Sequence, residues 1–80
     1  MASVPRHRTP EFLHRRLAEN VRRLREQAAL SQEEVADRSG LHRTYVGAIE
    51  RAERNASLAT VEALVAGLGV DPTELLALGE

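Results

Sequence analysis

Residues 30–55 read LSQEEVADRSGLHRTYVGAIERAERN, and this stretch decides the fold of the chain. Ser31 and Glu34 have the spacing of a capping box, in which each side chain satisfies a free backbone N–H of the other at the start of a helix. Gly40 is placed to end that helix, because glycine readily adopts the left-handed backbone conformation that reverses a helix. The stretch therefore predicts a short helix, a tight turn at Gly40, and a second short helix from about Arg43 to Arg51.

The second helix has an inward side and an outward side. Val46 and Ile49 are spaced to face a core, and the small side chain of Ala36 allows the two helices to cross closely. Two helices joined in this way form a helix-turn-helix over about Gln32 to Arg51. The predicted outward face consists of Arg43, Thr44, Gly47 and Ala48.

This outward face has the chemistry to read base pairs. Arg43, at the helix N-terminus, can donate two hydrogen bonds to guanine O6 and N7, and Thr44 offers a hydroxyl and a methyl group to a base. Gly47 and Ala48 keep the surface low enough to enter a major groove. On the residues alone an alternative stays open, in which Arg43 is a solvated arginine and Gly47 only weakens the helix by about 1 kcal/mol.

The rest of the chain also reads as helices. Thr9 and Pro10 are placed to start a first helix, and an apolar stripe follows at helical spacing. The stripe is Leu13, Leu17, Val21, Leu24 and Ala28. We therefore expect an all-α fold, with a flexible arm over residues 1–9 and one compact five-helix domain over residues 10–80.

Two further helices are predicted after the central pair. Ser57 can cap a fourth helix that ends at Gly69, and Asp71 with Pro72 can start a fifth. The apolar face of the fourth helix is expected to hold Leu58, Val61, Leu64, Val65 and Leu68. The fifth helix carries more leucine than its own packing needs, so a two-fold subunit interface is predicted, with intrachain packing as the alternative. The proposed interface residues are Val70, Leu75, Leu76 and Leu78.

Composition narrows the class of protein. The 80 residues contain no cysteine, which excludes disulfides and thiolate metal sites, and no apolar run approaches the ~20 residues of a membrane span. Neither a membrane partner nor a small-molecule ligand is indicated, and a cytoplasmic location is expected. Although the net charge is −1, residues 1–54 hold all the arginines and carry +3, while residues 55–80 carry −4. The arginine-rich part is the part suited to phosphate.

Residues 30–55 resemble the Xre and lambda-repressor class of helix-turn-helix regulators. Within that class, RTYVGAIERAERN (43–55) and the leucine-rich tail are most similar to the controller proteins of restriction-modification systems. The resemblance, which covers about Leu17 to Leu78, implies a lambda-repressor-like five-helix domain. It also implies a homodimer that binds double-stranded DNA, autoregulates its own promoter, and activates or represses neighbouring genes by blocking RNA polymerase or presenting a surface to it.

The resemblance also implies roles for individual residues. Arg43 and Thr44 would read bases, and an ion pair between Arg25 and Glu50 would set the angle of the reading helix, the alternative being that both are exposed and unrelated. The residues that the resemblance places at the DNA backbone or groove are Gln32, Tyr45, Arg51 and Asn55, and His42 is a further candidate from its own chemistry. For Tyr45, packing against the second helix is an equal alternative.

Two positions depart from the family pattern. His42 stands where Ser, Thr or Asp would cap the reading helix better, so that helix is expected to have a ragged start. A neutral surface histidine is the alternative to a DNA contact there. Ala52 replaces a common turn glycine.

The sequence also bears on two other classes of function, an enzyme and a protein-binding module. The histidines are scattered, and neither metal-ligand spacing nor a glycine-rich phosphate loop occurs, so no catalytic residue, metal or cofactor is expected. The stronger rival is an antitoxin-type module that binds and neutralises a protein partner. Its expected mark is spare sequence to wrap that partner, and only residues 1–8 offer any.

Overall fold

Five helices make up the part of the chain that the computed structural model describes, which is residues 12–53 and 56–77. They are α1 (Phe12–Gln27), α2 (Gln32–Ser39), α3 (Arg43–Glu50), α4 (Leu58–Leu68) and α5 (Pro72–Leu75). These residues contain no strand, and the predicted all-α, five-helix fold is confirmed. The predicted arm 1–9, and with it the Thr9–Pro10 helix start, lies outside the described residues.

The helix boundaries follow the local signals in the sequence. Ser31 and Glu34 form the predicted capping box, with the Ser31 hydroxyl accepting from the Glu34 N–H at 3.0 Å and the Glu34 carboxylate accepting from the Ser31 N–H at 2.8 Å. Asp71 and Glu74 form a second capping box at α5. Gly40 ends α2 with φ of 70°, the left-handed conformation expected of it.

The core lies where α1, α2, α3 and α4 meet, and α5 closes it at one end. Its fully buried side chains include Val21, Val35, Val46, Ile49 and Leu64. Both ends of the predicted α1 stripe are wrong, because Leu13 and Ala28 are exposed while the middle three residues are buried. The packed part of α1 is therefore shorter than its apolar pattern.

Leu58 departs from its predicted inward position, being 80% exposed. It is the first residue of α4, and it lies seven residues, or about two turns, before the half-buried Val65. Leu58 therefore lies at the edge of the helix, outside the buried face formed by Val61, Leu64 and Leu68.

None of the described helices is both long and apolar enough to cross a lipid bilayer.

The helix α5 is held in place by contacts with other parts of the same chain. Leu75 is fully buried in the core, and the buried Asn20 of α1 donates hydrogen bonds to the carbonyl oxygens of Leu75 and Ala77, both at 2.8 Å. The assignment of Leu75 to a subunit interface is therefore wrong. Val70 is half-buried against the core, Leu76 is 38% exposed, and Leu78 lies outside the described residues.

The helices α2 and α4 lie close together at Gly67. A Cβ atom added to Gly67 would lie 3.0 Å from the backbone nitrogen of Ser39, closer than real Cβ atoms usually come to a backbone atom. The absence of a side chain at Gly67 therefore allows α4 to lie against the end of α2.

Candidate nucleic-acid interface

The helix α3 is anchored on one side and open on the other. Val46 and Ile49 are buried in the core, while Arg43 and Thr44 are exposed at the first turn. His42 precedes the helix as its N-cap, and its side chain makes no capping hydrogen bond, as expected from its departure from the family pattern. The α3 N-terminus therefore presents an arginine and a threonine on the surface of the molecule.

Gly47, which belongs to the predicted outward face, is covered by neighbouring side chains. It is buried, and a Cβ atom added to it would lie 3.2 Å from Nη1 of Arg51 and 3.3 Å from Oε1 of Gln32. The long polar side chains of Gln32 in α2 and of Arg51 at the end of α3 therefore cover Gly47. Ala48 is half-buried, so the exposed part of the predicted reading face is Arg43 and Thr44.

A partly buried ion pair joins α3 to α1. Arg25 donates from Nε to Oε2 of Glu50 at 2.6 Å and from Nη2 to Oε1 at 3.0 Å, so the pairing expected from the resemblance is present. Its third nitrogen, Nη1, donates to the carbonyl oxygen of Leu30 at 3.0 Å. The hydrogen bond to Glu50 raises the pKa of Arg25 above its ordinary value despite the opposing effect of burial. The guanidinium is charged throughout the range in which proteins fold.

Gln32 extends this ion pair to α2. Its Nε2 donates to Oε1 of Glu50 at 3.1 Å, so a single carboxylate is contacted by side chains of α1 and α2. Gln32 is half-buried, and its amide donor is engaged within the molecule. We call Arg25, Gln32 and Glu50 the helix-locking network, because it joins the three helices whose relative angle sets where α3 points.

Tyr45 makes a contact with α4 that neither of its two predicted positions included. It is half-buried against the core, and its hydroxyl lies 3.3 Å from the hydroxyl of Thr60 in α4. The Thr60 hydroxyl lies in turn 3.1 Å from that of Ser57, which caps α4. The contact with α4 was missed by the sequence analysis, although a threonine within the apolar face of α4 is a signal for it.

The segment after α3 carries the other predicted groove residues. Arg51 is exposed, with Nε 3.0 Å from Oε2 of Glu53. Ala52 has φ of 59°, so it occupies the left-handed conformation that the family's usual glycine would favour. Asn55 lies outside the described residues.

One more contact brings α2 to the first turn of α3. Oε2 of Glu33 lies 3.9 Å from Nε of Arg43, and both side chains are largely exposed. Glu33 was not among the predicted site residues.

Within residues 12–53 and 56–77, no three histidines or carboxylates come together as a metal site would require.

Comparison with known proteins places these features in a family. Residues 21–75 match the helix-turn-helix family. Control protein C.SmaI of Serratia marcescens is 52% identical over 60 residues, which cover 75% of this chain and 71% of that protein.

Solved structures of controller proteins have the same fold. The restriction-modification controller protein C.AhdI from Aeromonas hydrophila is 42% identical with a TM-score of 0.75, covering 78% of this chain and 94% of that one. The controller protein C.Esp1396I, solved as a tetramer in complex with its natural 35 base-pair operator, is 31% identical with a TM-score of 0.76, covering 80% of this chain and 84% of that one. The resemblance drawn from residues 30–55 is thereby confirmed. The chain belongs to the helix-turn-helix family, where its relatives include the control proteins of restriction-modification systems.

Proposed function

We propose that this protein is a sequence-specific DNA-binding regulator that acts as a homodimer on a roughly palindromic operator and controls its own promoter. The observation that carries the proposal is the exposed pair Arg43 and Thr44 at the first turn of a helix whose opposite face is buried and whose angle is fixed by the helix-locking network. A rigidly held helix end with an arginine fork is suited to base edges in a major groove.

The neighbouring residues divide into two roles. Arg43 and Thr44 read bases, and Ala48 packs beside them as a low surface. Arg51 and His42, both exposed, contact phosphates on either side of the reading helix, and Asn55 lies in the segment that follows. Gln32 and Tyr45 act mainly by holding α3, since their polar groups already have partners within the molecule.

Multimeric binding is supported by the relatives. C.Esp1396I binds its operator as a tetramer, and we propose that this chain forms a two-fold dimer that can assemble in the same manner. Two reading helices related by a two-fold axis would enter successive major grooves, so the half-site centres should lie ~10 bp or a small multiple apart. With Leu75 inside the core, we propose a dimer surface formed by Leu76, the exposed part of Val70, and Leu78.

The remaining assignments rest on the family. We propose that the protein acts without catalysis or cofactor, in the cytoplasm, and that it works by blocking RNA polymerase or presenting a surface to it. The control proteins among the relatives support this regulator over an antitoxin-type module.

The test is a binding experiment with fluorescent duplexes, using a site selected from a random pool and a scrambled competitor. Arg43→Ala should lose about 1 to 3 kcal/mol on the selected site and much less on the competitor. The matched control is Arg51→Ala, which removes another exposed arginine and should weaken both duplexes more evenly. Equal losses for Arg43→Ala on both duplexes would show that Arg43 contacts phosphate, and a wild-type protein with no preference for any duplex would refute the proposed function.

A further inference from the structure

We propose that Glu33 is a specificity-determining residue, which orients the Arg43 side chain for base reading and weakens binding to DNA that Arg43 cannot read. The inference rests on the proposed function, since it assigns a second residue to the same DNA-facing surface.

Glu33 is placed beside Arg43 across the turn between α2 and α3. Its carboxylate oxygen lies 3.9 Å from Nε of Arg43, and the two side chains are 76% and 63% exposed. Both residues line a shallow surface groove whose other lining residues are Ala36, Asp37, Leu41 and His42. The pair is therefore at the surface, where an incoming duplex would meet both members.

The neighbouring acidic residues Glu33 and Glu34 have different roles. Glu34 closes the α2 capping box, and its pKa is lowered by the hydrogen bonds to the backbone and side chain of Ser31. Glu33 takes no part in that cap, and Arg43 is the ion-pair partner that the structure gives it. Because Glu34 already caps the N-terminus of α2, the carboxylate of Glu33 is not needed for capping and can pair with Arg43.

A carboxylate at Nε changes what an arginine can do. An exposed arginine samples many rotamers, and an acidic neighbour favours those in which Nε faces the acid. The two terminal nitrogens, Nη1 and Nη2, then point away from the carboxylate as a fork that matches guanine O6 and N7. Glu33 therefore favours the arginine conformation that reads a base over the conformations that reach a phosphate.

The same carboxylate opposes binding elsewhere on DNA. Non-specific affinity comes from arginines neutralising phosphates, and a negative charge beside Arg43 reduces that gain. At the cognate site Arg43 keeps its full pairing with guanine, so the opposing charge costs less there. The expected result is a larger ratio of cognate to random affinity than Arg43 alone would give.

The experiment measures the affinity of the full chain for a site selected by the wild type, for that site with the Arg43-contacted guanine replaced, and for a scrambled duplex. Glu33→Gln removes the charge and keeps the shape of the side chain. The matched control is Glu19→Gln, which removes a carboxylate 2.9 Å from Arg16 on α1. Thermal melts of each variant report whether the helices remain folded.

Glu33→Gln should raise affinity for the scrambled duplex roughly threefold to tenfold and raise cognate affinity less, so that the discrimination ratio falls. In the Arg43→Ala background, Glu33→Gln should no longer change the preference for the contacted guanine. Glu19→Gln should leave the ratio unchanged.

Two outcomes would overturn the inference. In one, Glu33→Gln strengthens binding to all three duplexes equally and independently of Arg43, which means simple charge repulsion. In the other it lowers only the melting temperature, which means that Glu33 acts on the α2 helix dipole alone. Both leave the proposed function standing, whereas a wild type without any sequence preference removes it and the inference together.

Discussion

Two alanines adopt a backbone conformation that costs them free energy. Ala29 and Ala52 have φ of 58° and 59°, in the left-handed region where a Cβ atom crowds the following carbonyl oxygen. Ala29 ends the turn after α1, and Ala52 follows α3 beside the proposed DNA surface. At both positions the chain turns with an alanine, although glycine adopts this left-handed conformation most easily.

Ala52→Gly should therefore stabilise the protein by about 0.5 to 1 kcal/mol, because relief of the left-handed strain exceeds the added entropy of the unfolded chain. Urea unfolding followed by circular dichroism measures the change. Ala66→Gly, at an exposed position inside α4, is the matched control and should destabilise by up to about 1 kcal/mol. A destabilised Ala52→Gly variant would contradict the strain argument.

The ion pair of Arg25 and Glu50 is deeply enough buried that its two members depend on each other. Glu50→Leu alone should lower the free energy of unfolding by about 3 kcal/mol, because it leaves a largely buried guanidinium without its charged partner. The double variant Arg25→Met, Glu50→Leu should recover much of that loss, since it removes both charges and refills the space.

A double-mutant cycle from chemical unfolding measures this coupling. If the double variant is as unstable as the sum of the two single changes, the pair does not act as a unit. Binding to a selected site separates stability from function, because the double variant lacks the carboxylate that Gln32 contacts and should bind DNA more weakly even when it is well folded.

At the scale of single helices, two capping carboxylates make stability depend on pH. Hydrogen bonds to Ser31 lower the pKa of Glu34 below its ordinary 4.5, and hydrogen bonds to Thr73 lower the pKa of Asp71 below its ordinary 3.8. A lowered pKa in the folded state means that the stabilisation is fully present above the ordinary pKa. It is lost as the pH falls through the pKa of the folded state.

The free energy of unfolding should therefore decrease from about pH 6 to about pH 3, and Glu34→Gln should show a smaller decrease because glutamine caps without titrating. Denaturant titrations at several pH values measure both curves. Glu62→Gln, on the exposed side of α4, gives the background effect of removing one carboxylate. If the free energy of unfolding changes equally with pH in Glu34→Gln and in the wild type, the cap at α2 does not contribute to the pH dependence.

The helices themselves could be predicted because their signals are local. Ser31, Gly40, Ser57 and Asp71 each act on backbone groups within one turn, so their effect can be read from a few residues. Leu58 could not be placed in this way, because the choice between core and solvent depended on which edge of α4 meets α2.

In the candidate site too, local features could be predicted from the sequence and contacts between helices could not. The positions of Arg43 and Val46 on opposite sides of α3 follow from helical spacing alone. The cover over Gly47 and the contact of Tyr45 with Thr60 depend on side chains from other helices, which spacing does not specify. The pairing of Arg25 with Glu50 came from family resemblance, since two residues 25 positions apart in the chain share no local signal.

At the scale of the whole molecule, the proposed dimer depends on the surface through which two copies meet. Leu76→Glu places a charge on the largest exposed apolar side chain of the described carboxyl-terminal segment, and it should shift the protein from dimer to monomer at micromolar concentration. Sedimentation velocity measures the shift. Leu58→Glu, at the most exposed of the three leucines of α4, is the control and should leave the dimer intact.

A Leu76→Glu variant that remains dimeric would place the two-fold axis on another surface. A monomeric Leu58→Glu variant would locate it at the start of α4. Either result can be told from unfolding, because both side chains are at the surface and the core should remain intact in the monomer.

The side chain of Asn20 gives the molecule one contact of very long sequence range. Its two amide hydrogens reach carbonyl oxygens 55 and 57 residues further along the chain. A short terminal helix held only by its own hydrogen bonds would exchange its amide protons with water almost freely, but this one is fastened to the longest helix of the fold. We expect the last turn to exchange in step with α1, so the two extremes of the described chain should open and close as a single cooperative unit.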